Sequence, residues 1–116
     1  MIQMQSELGT VRISSAVLTN LTGAAATNCF GVKGMAYRSV ADGIVHLLRR
    51  EAMGKGVKII DNEDESISIE LHIVVEHGVN IAAVCRAIRN EVRYMVSKST
   101  GAKIHAVDVC VDSMTM

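Results

Sequence analysis

Four groups of residues in this chain carry side chains of types and spacings that could do chemistry. Gly31-Val-Lys-Gly34 is a Gly-x-x-Gly with a lysine inside it, the loop with which RNA-binding KH domains clamp backbone nucleotides. His46, His72, His77 and His105, together with Cys29, Cys85 and Cys110, are donor types that suit a transition metal. The same three cysteines are also the only thiol nucleophiles. Arg86, Arg89 and Arg93, with Asn90 among them, fall in one narrow row when set on a helix, and such a row docks acidic partners or anionic surfaces.

Each group is weighed against its neighbours in the sequence. A KH clamp sits between two helices beside a basic groove, whereas the segment after Gly34 reads as extended. Twelve basic and twelve acidic side chains leave a formal net charge of zero, and one Phe, two Tyr and no Trp leave no stacking platform for unpaired bases. Nucleic acid is therefore not the expected partner, and a small RNA-binding module using this loop and the arginine row stands as the alternative reading. The histidines and cysteines match no C-x-x-C or H-E-x-x-H spacing. If the strands carrying His72 and Cys110 were neighbours, those two side chains would share the outer face of the sheet with Glu70 and Asp108. A solvated sheet face is the expectation there, with neither a metal nor another cofactor. Cys85 falls on a buried stripe and Cys29 beside a helix end, so packing accounts for both. No G-x-S-x-G elbow, Walker loop or dinucleotide fingerprint appears, no catalytic residue is assigned, and an enzyme is not expected. The arginine row remains as the candidate partner-binding site, because Glu91 lies well off it and cannot neutralise all of it.

These residues must be positioned by a short list of elements. Leu8 to Ile13 alternates and reads as a first strand, and Ser14 or Ser15 can cap a helix running to about Cys29. On that helix Val17, Leu21, Ala24, Ala25 and Asn28 share a face, while Gly23-Ala-Ala-Ala26 permits close approach to another backbone. Gly31 supplies the positive φ that helix ends favour, and Val32 to Tyr37 is extended, with Gly34 a weak point or bulge. A second helical pattern starts at Ser39 with Val40, Ile44, Leu47 and Leu48, has Arg49-Arg50 near its end, and stops at Gly54-Lys-Gly56. Val57 to Asp61 and Ser66 to Glu76 flank the acidic turn Asn62-Glu-Asp-Glu65 as a hairpin, with Ile67, Ile69, Leu71, Ile73 and Val75 on one side. Asn80 caps the longest helix, in which Ile81, Val84, Cys85, Ile88, Val92, Met95 and Val96 follow helical spacing up to Gly101. Ile104 to Asp112 is a last strand with Val107, Val109 and Val111 inward, followed by a frayed tail, Ser113 to Met116. The order β-α-β-α-β-β-α-β predicts an α+β fold: a two-layer sandwich, a mixed β-sheet with two main helices packed on one face and a third short helix, in one domain over residues 1–116.

At 116 residues the chain is long enough to bury about two-thirds of its unfolded surface without a staple. An odd number of widely spaced cysteines and the absence of a secretory signal in MIQMQSELG point to a reducing cytoplasm. No run approaches the ~18 apolar residues of a membrane span, so membrane contact is expected only at the periphery or through a partner.

Several segments together resemble the alkaline shock protein family, the small envelope stress response proteins of Gram-positive bacteria. They are Gly9-Thr-Val-Arg-Ile-Ser14 with its helix, Gly23-Ala-Ala-Ala-Thr-Asn-Cys-Phe-Gly-Val-Lys-Gly-Met35, Gly54-Lys-Gly-Val57, and the long helix leading to Val107-Asp-Val-Cys-Val111. The resemblance runs from about Leu8 to Asp112, and the short termini match the compact YloU-like branch. It implies a non-enzymatic cytoplasmic protein, an adaptor in cell-envelope homeostasis that can self-associate or be held near the membrane by a membrane-anchored partner. It carries no catalytic residues over.

Overall fold

The computed structural model describes residues 2–38, 45–48, 54–62 and 64–115. Strands β1 (Ile2–Ser6) and β2 (Gly9–Ile13) form an antiparallel hairpin. They are followed by α1 (Ser15–Thr27), β3 (Val32–Arg38), β4 (Val45–Leu47), β5 (Val57–Asp61), β6 (Ser66–Val75), α2 (Ile81–Thr100) and β7 (Lys103–Met114). The α+β class and both main helices match the sequence expectation.

Strand β6 organises the sheet. Its alternation sends Ile67, Ile69, Leu71, Ile73 and Val75 to the core, each at most 1% exposed, and burial of such side chains contributes about 1.5–3 kcal/mol apiece. One edge of β6 pairs in parallel with β7 along its length, from Ser66↔Lys103 to Val75↔Met114. The other edge is shared: β5 pairs antiparallel with residues 67–71, and β3 with residues 73–75. β4 adds to the free edge of β3, with Ala36 opposite Leu47. Val107 is buried, and Val109 and Val111 pack partly buried against the same core.

α2 lies on that core through Val84, Ile88, Val92 and Val96, with Cys85 and Met95 on its margins. Its ends are those the sequence predicts. The Asn80 side chain accepts a hydrogen bond from the Ala83 N–H at 3.1 Å, and left-handed Gly101 donates its own N–H to the Ser97 carbonyl at 2.8 Å. Ile81, expected on the stripe, is 42% exposed in the first turn.

Three expectations are corrected. α1 starts at its predicted Ser14 cap, and of the expected face Val17, Leu21, Ala24, Ala25 and Asn28 the structure buries Ala25 and packs Leu21 against the core. Val17, Ala24 and Asn28 are exposed, however, and the inward face, Leu18, Thr22, Gly23, Ala25 and Ala26, is turned about one residue round. The helix is apolar on nearly every side, so hydropathy gives no direction. α1 packs against α2, β3 and β5, and the small residues Gly23, Ala25 and Ala26 are among those it buries. Secondly, of the short helix expected from Ser39, residues 39–44 and 49–53 lie outside the described residues, and 45–47 are strand. The open edge of β3 captures them, and Leu47 sits over Gly34, where an added β-carbon would meet its Cδ1 at 2.9 Å. Thirdly, the tail is tied down as far as Thr115, whose N–H donates to the Val75 carbonyl at 2.9 Å and whose hydroxyl accepts from the His77 N–H at 3.2 Å.

Candidate functional site

The arginine row stands as its spacing predicts. Arg86, Arg89, Asn90 and Arg93 are all exposed on the side of α2 away from Val84, Ile88 and Val92. Among the described residues no acidic side chain pairs with any of the three guanidiniums. Glu91 is half-buried on the flank of the helix, where its charge reaches Cys29 instead. Towards the end of the helix, on the flank that also carries Glu91, the Lys98 ammonium donates to the Tyr94 hydroxyl at 3.1 Å and lies 5.2 Å from the centroid of that exposed ring.

The Gly-x-x-Gly loop does not join two helices. Gly31 turns the chain from α1 into β3 with φ of +89°, and Lys33 is exposed on that strand. A β-carbon at Gly31 would stand 2.9 Å from Val84 Cγ2 and 3.1 Å from Val79 Cγ1. At Gly34 the register with β6 slips by one residue, as a bulge. Close packing and backbone conformation therefore account for both glycines.

On the far side of the sheet the structure makes neighbours of residues that the sequence separates widely. The β6–β7 register sets His72 beside Cys110 and Glu70 beside Asp108, as expected if those strands were adjacent. His72 Nδ1 lies 3.0 Å from Asp112 Oδ2 and 3.2 Å from Oδ1, while Nε2 lies 3.4 Å from Glu70 Oε1. Cys110 Sγ faces the same Glu70 oxygen at 3.9 Å. Donor atoms of Glu70, His72 and Cys110 all fall within 4.8 Å of one another. Asp112, at 14% side-chain exposure, is the least accessible of the carboxylates around His72. It is the residue skipped where the register shifts between Ile73 and Val74, so a bulge aims it back at the ring. Burial pushes the Cys110 thiol above its ordinary range, and the charges of Glu70, Asp112 and Asp108 push it further the same way. Lys55 and Lys58 line a cleft of about 340 Å³ beside this group, and Lys58 stands opposite Glu70 in the β5–β6 register.

Of the other candidates, Cys29 and Cys85 lie elsewhere, half-buried, and burial raises both thiols. His77 and His105 are exposed and outside the group, and the side chain of His46 lies outside the described residues. Sequence reasoning missed Asp112 because it ended the last strand there. The signal lay in the paired Glu70-x-His72 and Cys110-x-Asp112 spacings, each of which puts two polar donors on one face of a strand.

Fold and surfaces together define a small two-layer α+β domain with a mixed sheet, one face covered by helices and the other carrying polar side chains. The chain belongs to the alkaline shock protein 23 family, described as having a cell envelope-related function, whose family model matches residues 3–116. It is 31% identical to YloU of Bacillus subtilis over 114 residues, covering 97% of this chain and 94% of that protein. It is also 31% identical to YqhY of the same organism over 104 residues, covering 90% and 76% of the two chains. Among solved structures, the manganese form of the MamM CTD shares the fold at a TM-score of 0.52 and 15% identity, over 86% of this chain and 99% of that one. Its cadmium form aligns at a TM-score of 0.50 over 84% and 94%.

Proposed function

We propose that the protein is a non-catalytic docking module of the cell envelope, and that Arg86, Arg89 and Arg93 hold an acidic segment of a membrane-anchored protein. The observation that carries this reading is the row itself: three exposed guanidiniums on one helix face, without acidic partners among the described residues. Guanidinium forks match carboxylates bidentately, and a one-sign strip steers an oppositely charged partner. The family description supports an envelope setting. No helix of the described residues is long and apolar enough to cross a membrane, so in this reading a cytoplasmic chain reaches the membrane through its partner. Two copies meeting ridge to ridge would repel, and homo-oligomer formation would use another surface.

The test is the triple variant Arg86→Glu, Arg89→Glu, Arg93→Glu. Because the three side chains are exposed, its stability stays within about 1 kcal/mol of the parent. Crosslinking in the native cell, followed by recovery from the membrane fraction, yields a membrane protein with the parent and loses it with the variant. Equal recovery at physiological salt removes the ridge as the docking site.

A further inference from the structure

We propose that Glu70, His72 and Cys110 form a binding site for a single divalent transition-metal ion of the zinc or cobalt class, with Asp112 as a positioning residue for His72. The donor set is the first ground. Imidazole nitrogen, thiolate sulfur and carboxylate oxygen together suit a borderline ion, whereas magnesium and calcium take oxygen alone.

Geometry is the second ground. A tetrahedral ion with bonds of about 2.0 Å to nitrogen and oxygen and 2.3 Å to sulfur sets its ligands roughly 3.3–3.5 Å apart. The separations from Glu70 Oε1 are 3.4 Å to His72 Nε2 and 3.9 Å to Cys110 Sγ, and all three donor atoms lie within 4.8 Å of one another, so the Glu70–His72 pair already stands at ligand spacing and the Cys110 side chain closes on it.

The third ground is the tautomer. Both carboxylates only accept, and Asp112 is the nearer, at 3.0 Å against 3.4 Å for Glu70, so a neutral ring places its one proton on Nδ1 and turns the Nε2 lone pair towards Glu70. That is the carboxylate–histidine–metal arrangement in which an outer acid orients the ligating ring. A lone pair facing a carboxylate oxygen is unfavourable until something positive lies between them, and the candidates are a metal ion or a second proton on the ring. Three protein ligands leave one coordination position open, and Glu70 and His72 also line the cleft bordered by Lys55 and Lys58. The site lies on the opposite face of the sheet from α2, so it is independent of the arginine ridge.

The probe is cobalt(II), titrated into the reduced, chelator-treated protein. The expected result is one equivalent bound, with the visible bands of a four-coordinate ion and a sulfur-to-cobalt charge-transfer band in the near ultraviolet, both bleached by zinc. Cys110→Ser abolishes the charge-transfer band, while Cys29→Ser and Cys85→Ser retain it. His72→Ala lowers affinity most. Asp112→Asn, which keeps the shape of the side chain, retains the spectrum but weakens binding about 10–100-fold. Absence of a thiolate band, or a band and affinity unchanged by Cys110→Ser, overturns the proposal and leaves His72 as a ring bridging two acids.

Discussion

The imidazole Nδ1 of His72 and the carboxylate Oδ2 of Asp112 lie 3.0 Å apart, although 40 residues separate them in the chain. The contact ties the middle of β6 to the bulge in β7. In metal-free protein a double-mutant cycle on His72→Ala and Asp112→Ala yields a coupling of roughly 1 kcal/mol, the usual net value of one partly buried hydrogen bond. Chemical denaturation of the four proteins measures it, and additive single effects would show that the two side chains do not interact in solution.

Gly31 and Gly78 share a φ of +89°, but only Gly31 is crowded. Replacing either with alanine imposes the left-handed penalty of about 1–2 kcal/mol. Gly31→Ala adds a clash with Val84 and Val79, so it destabilises further, whereas Gly78→Ala meets open space. Equal losses in the two melting curves would remove close packing as the reason for the first glycine.

Thr22 is fully buried, and its hydroxyl has no hydrogen-bond partner among the described residues. Thr22→Val keeps the shape and removes the unsatisfied group, so the variant gains about 1 kcal/mol. Denaturant titration checks the sign, and a loss would mean that the hydroxyl finds a bond in solution.

Cys29, Cys85 and Cys110 all have thiols raised by burial, with nearby carboxylates adding to the effect at Cys29 and Cys110. They stay neutral over a wider pH range folded than unfolded. Above the ordinary thiol range the unfolded chain therefore releases protons first, and stability falls as pH rises. At neutral pH an alkylating reagent reacts with all three more slowly than with free cysteine, and a reactive thiol at any of them contradicts this.

Legibility in the sequence followed the strength of pattern. β6 and α2 were readable because large apolar side chains repeat every second residue in one and at helical spacing in the other, and Asn80 and Gly101 punctuate the helix. α1 was readable as a helix but not in orientation, since the buried Leu18 and Ala26 differ little in hydropathy from the exposed Val17 and Ala24. Val45 to Leu47 carried helical spacing, yet a vacant strand edge decided their conformation. The arginine row needed only one helix and was visible at once. The His72 group needed a parallel register between strands separated by α2, plus a bulge, and both are properties of tertiary pairing rather than of local sequence.

The parallel edge of β6 has a consequence for synthesis. That strand is complete at Val75, but its partner along that edge begins at Lys103 and ends at Met114. A chain growing from the ribosome therefore carries a bare β6 edge, rich in isoleucine and valine, while some forty further residues are made. Such an edge is a template for pairing with another nascent chain, and parallel pairing is slow to form. Vulnerability to aggregation thus belongs to the interval before β7 is available to pair, and a premature stop anywhere within α2 leaves the edge permanently open.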